Sequence, residues 1–133
     1  MSKYSLIFIA TSVLLVLAVL FVLFALTPPG WPTGGEVDVT VTPEVLIAGQ
    51  PPRFKLEFNT HSVELDFDIE KITRLSDDRR KDYGQPTWEG SPPGGHHREG
   101  TLTFPKSLDD VKSATLIIST VSGVAERKFT WQL

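Results

Sequence analysis

Arg53-Phe54-Lys55-Leu56-Glu57-Phe58-Asn59 alternates polar and apolar side chains without a break. Successive side chains of an extended strand point to opposite faces, so this stretch buries Phe54, Leu56 and Phe58 and leaves Lys55, Glu57 and Asn59 in water. The same period of two recurs on either side. Val37, Val39 and Val41 alternate with Asp38, Thr40 and Thr42, and Val63, Leu65, Phe67 and Ile69 alternate with Glu64, Asp66, Asp68 and Glu70. Leu102 with Phe104, the run 114–120, and Phe129-Thr130-Trp131-Gln132-Leu133 continue the series.

Turn-forming clusters separate these runs: Ala48-Gly49-Gln50-Pro51-Pro52, Ser91-Pro92-Pro93-Gly94-Gly95 and Ser122-Gly123. Short strands, alternating faces and no long helical period predict an all-β fold, an immunoglobulin-like antiparallel β-sandwich of about seven strands over residues 36–133. Residues 107–113 fit one short helical turn, with Ser107 as its cap and Asp109 and Asp110 in its first turn. The charged segment 76–84 reads as a solvated hairpin end, and Tyr83 within it carries no inference. Trp88 and Trp131 read as core or edge aromatics.

Upstream the chain is of another kind. Residues 6–26 hold no charge, no Pro and no Gly. As a helix this run of about 21 residues would span roughly 31 Å, near the thickness of a bilayer's hydrocarbon core. It is therefore expected to be a transmembrane signal anchor. The alternatives are a cleaved signal peptide and a buried helix. A cleaved leader fits less well, because the run is long and Leu23 or Pro28 would spoil the available cleavage positions. Lys3 precedes the run and no Lys or Arg follows it until Arg53. The positive-inside rule then places residues 1–5 in the cytoplasm and the domain outside, which predicts a single-pass cell-membrane protein. Residues 27–35 form a Pro/Gly linker that cannot continue a helix. Its Trp31 suits either the headgroup layer or packing on the domain.

The 133 residues contain no cysteine, which excludes disulfides, thiolate metal sites and a thiol nucleophile. The net charge is −3, so there is no basic excess for a phosphate backbone and nucleic acid is not an expected partner. Hydrolytic triads and phosphate loops are not readable either: no Gly-x-Ser-x-Gly is present, and neither Gly34-Gly35 nor Gly94-Gly95 opens a helix.

Histidine gives the one chemical lead. His61 follows Asn59-Thr60, and His96-His97 lie in Gly94-Gly95-His96-His97-Arg98-Glu99-Gly100, where glycine lets the backbone take positive φ. Neutral imidazole suits zinc and copper(II), and carboxylates complete such shells. His61, His96 and His97 with Asp66 or Asp68 are thus candidate metal ligands, although the spacing matches no established zinc motif. The competing expectation is structural. There His61 bonds a turn, the pair locks a loop, Arg98 pairs with Asp66 or Asp68, and the acidic residues form a solvent face.

The segments Thr60-His61-Ser62, Trp88-Glu89, Gly94-Gly95-His96-His97-Arg98 and Arg127-Lys128-Phe129-Thr130-Trp131 resemble an uncharacterised family of secreted or membrane-anchored prokaryotic β-sandwich domains. The resemblance covers about the last two-thirds of the chain. It implies that the Thr-His-Ser and Gly-Gly-His-His-Arg motifs work as one unit, and it implies no activity. The sequence thus predicts a non-enzymatic, membrane-anchored module for interaction with another membrane or envelope protein, or for envelope structure. The alternative is a zinc or copper(II) binding module, and a metal-assisted hydrolase is the least supported reading.

Overall fold

Seven strands and one helical turn follow one another along the chain. They are β1 (Val37–Val45), β2 (Arg53–Thr60), α1 (Ile69–Ile72), β3 (Thr73–Asp77), β4 (Thr87–Gly90), β5 (His97–Thr103), β6 (Ser113–Val121) and β7 (Val124–Gln132). The computed structural model describes residues 36–133, so the expected anchor and linker lie outside the described residues. No helix among the described residues is long and apolar enough to cross a membrane.

The strands form two antiparallel sheets, ordered β1-β2-β5-β4 and β3-β6-β7. Phe54, Leu56 and Phe58 of β2 are fully buried, as the alternation requires, and they belong to one core with Leu75 of β3 and Leu116 and Ile118 of β6. Trp131 lies against Phe54 with ring centroids 5.2 Å apart, and Phe104 meets the same ring edge-on at 6.1 Å. Truncating one of these buried phenylalanines to Ala would cost about 3–5 kcal/mol through lost burial and the cavity left behind. The β6–β7 hairpin turns on Ser122 (φ 49°) and Gly123 (φ 74°), a two-residue loop whose positive φ values match the strand twist.

The alternation at residues 63–69 is not a strand. Leu65 and Ile69 are buried and Val63 and Phe67 half-buried, yet these residues make no ladder, and the helical turn α1 begins at Ile69. The segment crosses from the first sheet to the second and lies flat enough on the core to keep a strand's pattern of burial. Residues 107–113 are not helical either. Their amide groups have other partners: Leu108 donates to the Gln50 carbonyl and Asp109 to the Tyr83 hydroxyl. The segment 76–84 is more deeply packed than its charge suggests, since Asp77 is buried and Tyr83 has no exposed surface.

Candidate functional site

The first strand pair fixes one end of the domain. Val37 at the start of β1 pairs with Thr60 at the end of β2, and Asn59 pairs with His97 at the start of β5. The Glu36 amide donates to Ser122 Oγ at 3.3 Å. The entry of the chain, the Thr60-His61-Ser62 turn, the histidine loop and the β6–β7 hairpin therefore share one end of the sandwich. Thr60 Oγ1 accepts from the Ser62 and Val63 amides and so forms the turn that carries His61.

The glycines of the histidine loop serve the crossover 61–68. Gly94 (φ 114°) and Gly95 (φ 74°) adopt positive φ, which lets the loop run beside Leu65. The Gly94 amide donates to the Leu65 carbonyl at 2.8 Å, and the Leu65 amide donates to the Gly95 carbonyl at 2.9 Å. The His96 carbonyl accepts from the Thr60 amide. The Thr-His-Ser and Gly-Gly-His-His elements are thus joined through backbone.

Arg98 completes the arrangement. It shares the inner face of β5 with Leu102 and is 2% exposed. One guanidinium nitrogen donates to the carbonyls of Leu65 (3.0 Å) and Phe67 (2.7 Å), and the other donates to the Ser91 carbonyl (3.4 Å). The expected carboxylate bond is replaced by these carbonyls. The charge centre lies 5.4 Å from the Phe67 ring and 6.0 Å from the Trp88 ring, both cation–π distances. Arg98 Nε is buried without a partner. Burial lowers the Arg98 pKa, and only the field of Asp68 opposes it. Room for the Trp88 indole comes from Gly90 and Gly100, which face each other across β4 and β5. A Cβ on Gly100 would fall 2.5 Å from the Glu89 carbonyl and 2.8 Å from the indole.

The five candidate ligands stand as follows. His61, His96 and His97 are all exposed, as are Asp66 and Asp68. His97 Nδ1 is hydrogen-bonded to Asn59 Oδ1 across the β2–β5 pair. Asp68 caps α1 by accepting from the Glu70 amide at 3.2 Å and pairs with Lys71 at 3.0 Å. The Lys71 bond, joined by the same residue's charge and amide and the Glu70 amide, outweighs burial and lowers the Asp68 pKa. Among the described residues, no group of three or more His, Asp or Glu side chains could hold a metal ion.

The opposite end of the sandwich carries a second cluster that the sequence reading missed. Asp77 Oδ1 accepts from the Arg79 and Lys81 amides at 2.8 and 2.9 Å, and Asp77 Oδ2 accepts from the Tyr83 hydroxyl at 2.9 Å. Tyr83 in turn accepts from the Asp109 amide at 3.4 Å, and Lys81 pairs with the Asp109 carboxylate at 2.6 Å. Burial alone would raise the Asp77 pKa, but the Lys81 amide, the Tyr83 hydroxyl and the Arg79 amide and charge hold it below the usual range. Burial first, and then the neighbouring Asp77, push Tyr83 up to about 12. Beside this cluster, Leu46, Ile47, Leu108, Val111 and Leu133 line a shallow depression of about 280 Å³. Ile47 (59% exposed) and Leu133 (51%) are the exposed large hydrophobics of the described residues.

No protein-family model, curated protein or solved structure matches the chain.

Proposed function

We propose that the chain is a non-enzymatic, membrane-anchored extracytoplasmic module of immunoglobulin-like build, made to contact another membrane or envelope protein. The strand order supports the build: β1-β2-β5-β4 opposite β3-β6-β7 follows the A-B-E-D and C-F-G order of a constant-type immunoglobulin domain. The bridging disulfide of that domain class has no counterpart here, since the chain has no cysteine and apolar side chains of β2 and β6 fill the space between the sheets.

The observation that carries the non-enzymatic reading is the use made of the histidine loop. Its backbone and Arg98 are spent on holding the crossover 61–68 to the first sheet. A reaction centre needs a base, a reacting group and a sheltered space together. Here the three imidazoles stand in open solvent. The uncharged run 6–26 supports the anchor, and Lys3 supports the orientation.

The test is fractionation of the full chain followed by cross-linking in mild detergent. The expected result is release from membranes by detergent but not by alkaline carbonate, together with a cross-linked partner. Release without detergent overturns the anchor, and a lone uncross-linked monomer overturns the interaction role. Zinc or copper(II) binding through His61, His96 and His97, with Asp66 or Asp68, is the second reading. Its support is that the three imidazoles share one end of the domain. Excess metal should then raise the Tm, because a ligand selective for the folded state stabilises it. An unchanged Tm overturns that reading.

A further inference from the structure

Edge strands of an open sheet carry unpaired N–H and C=O groups that accept another strand unless something guards them. Three of the four edges among the described residues are guarded. On β1, Pro43 has no amide proton and the ladder slips between Pro43 and Val45. β4 has only four residues, and the Glu70 carboxylate takes the Trp88 amide at 2.7 Å. β3 has five, and the returning chain covers it: Asp82 bridges Ser76, and the Tyr83 amide donates to the Leu75 carbonyl.

β7 is the exception. It runs for nine residues with no proline and no slip in register against β6. Its charges lie in its first half. Glu126 pairs with Arg74 and Lys128, and Arg127 turns inward to the carbonyls of Val37 and Val121. The second half, Phe129-Thr130-Trp131-Gln132, is uncharged. Among the described residues its backbone bonds to β6 alone. Leu116 and Ala114, opposite Phe129 and Trp131 on β6, are fully buried, whereas Phe129 and Trp131 are only half-buried. Val39 and Val41 on the β1 edge are half-buried as well. The core is thus sealed on the β6 side and left open on the outer side of β7. Free peptide groups beside half-covered aromatic rings suit one kind of occupant, an extended chain with apolar residues at alternate positions.

We propose that this occupant is β7 of a second copy of the chain, paired antiparallel about a two-fold axis through Thr130. Two three-stranded sheets then join into one of six strands, and one patch serves both sides of the contact. The axis sets Thr130 opposite itself and Phe129 opposite Trp131 of the second copy, an aromatic cross-strand pair that occurs twice. Lys128 faces Gln132 of the second copy, and Arg127 faces its Leu133. Charge selects this register. An axis through Arg127 or Lys128 would set like charges directly opposite each other, which is unfavourable. An axis through Phe129 would leave the two Lys128 side chains diagonal and within reach of each other. About Thr130, each cation meets an uncharged residue. Thr130 already bonds to the Thr115 hydroxyl at 2.9 Å, so a ladder of hydroxyls continues across the joined sheet. The contact goes beyond the partner proposed above and does not depend on the anchor.

Because the chain has no cysteine, one introduced thiol can read the contact. The full chain carrying Thr130→Cys is oxidised in mild detergent. Beside it are run Thr115→Cys, one strand inward on the same face, and Thr42→Cys on the β1 edge. Thr130→Cys should form a disulfide dimer, since thiols that face each other across the axis lie within bonding reach, and the other two should stay monomeric. Lys128→Cys and Gln132→Cys should cross-link to each other when mixed, and neither to itself. Sedimentation in matched detergent reads the charge. Gln132→Glu should tighten self-association about threefold and Gln132→Lys weaken it about threefold, through the Lys128 that each faces. Both side chains are exposed, so the unfolding midpoints should not move. No dimer from Thr130→Cys, equal cross-linking at all three positions, or association indifferent to the charge at position 132 overturns the pairing. A Thr130→Cys chain that cross-links only to a different protein gives the edge to a foreign strand, which overturns the self-pairing and leaves the partner proposed above standing.

Discussion

The two ends of the sandwich solve one problem with opposite charges. Each has a long connection whose backbone groups find no strand partner. At the entry end a buried cation, Arg98, collects the carbonyls of Leu65, Phe67 and Ser91. At the far end a buried anion, Asp77, collects the amides of Arg79 and Lys81 and the hydroxyl of Tyr83. Neither has an opposite charge bonded directly to it as its main partner. Charge-assisted bonds to backbone are stronger than neutral ones, so one side chain can order a whole loop. The difference between the ends lies in titration: a guanidinium stays charged throughout the accessible range, whereas a carboxylate does not.

The largest effect is expected at the cationic end. Arg98→Met keeps most of the stem but removes a charged donor from three carbonyls, of which Leu65 keeps the Gly94 amide and Ser91 keeps the Trp88 indole N–H. Relief of the buried charge offsets part of the loss, leaving about 3 kcal/mol by urea unfolding. Amide exchange should accelerate at Leu65 and Gly94, which bond across the same junction. Arg98→Lys, which retains a single charged donor group, should lose about half as much. An unchanged midpoint for Arg98→Met would show that the glycine loop holds the crossover without it.

Both locks were only partly legible in the sequence, for different reasons. Arg98 drew notice beside His96 and His97, but a guanidinium near Asp66 and Asp68 suggests carboxylate pairing. The competing carbonyls become visible only when the crossover is placed. That placement was obscured because residues 63–69 keep the burial alternation of a strand while bonding to a loop and a side chain instead of a ladder. Periodicity reports which side faces the core and not what the backbone pairs with. Tyr83 was hidden by its neighbours: Asp82 and Arg80 are exposed, whereas the tyrosine ring is fully buried. Ser107, Asp109 and Asp110 have the composition of a helix start, but the amides of that segment were already taken by Gln50 and Tyr83. Strands β1, β2 and β7, by contrast, follow directly from alternation, which puts Phe54, Leu56 and Phe58 of β2 in the core, whereas the short β3 and β4 carry too little of the pattern to be read from it. The three histidines were seen together in the sequence, and the structure places them at one end of the domain without gathering them into a ligand set.

The anionic end should give a smaller effect that depends on pH. Asp77→Asn removes the charge but keeps the shape, and about 2 kcal/mol is expected at neutral pH from weakened bonds to two amides and a hydroxyl. The folded state holds the Asp77 carboxyl below its ordinary value. Its contribution is therefore complete above the unfolded value of about 4 and is lost as pH falls through the lower folded one. Thermal unfolding between about pH 5 and pH 2 should show the wild type losing its advantage over Asp77→Asn, with the two curves converging in acid. Parallel curves would mean that Asp77 is not the titrating lock.

Tyr83→Phe should cost least, about 1 kcal/mol at neutral pH, since the ring stays buried and a single hydroxyl is lost. Its signature lies on the alkaline side. Burial and the Asp77 carboxylate keep the folded phenol protonated up to about 12, whereas an unfolded tyrosine ionises near 10. A group whose folded value is raised stabilises fully below the unfolded value and loses that contribution as pH climbs through the window. The wild type should therefore weaken between about pH 10 and pH 12 in a way that Tyr83→Phe does not. The deficit of Tyr83→Phe should accordingly shrink with rising pH, just as that of Asp77→Asn shrinks with falling pH. Arg98→Met should show neither trend, because the guanidinium it removes does not titrate across this range. If the Tyr83→Phe deficit stayed constant up to pH 12, the hydroxyl would be acting as a neutral bond to Asp109 alone, and the anionic lock would reduce to Asp77 and its two amides.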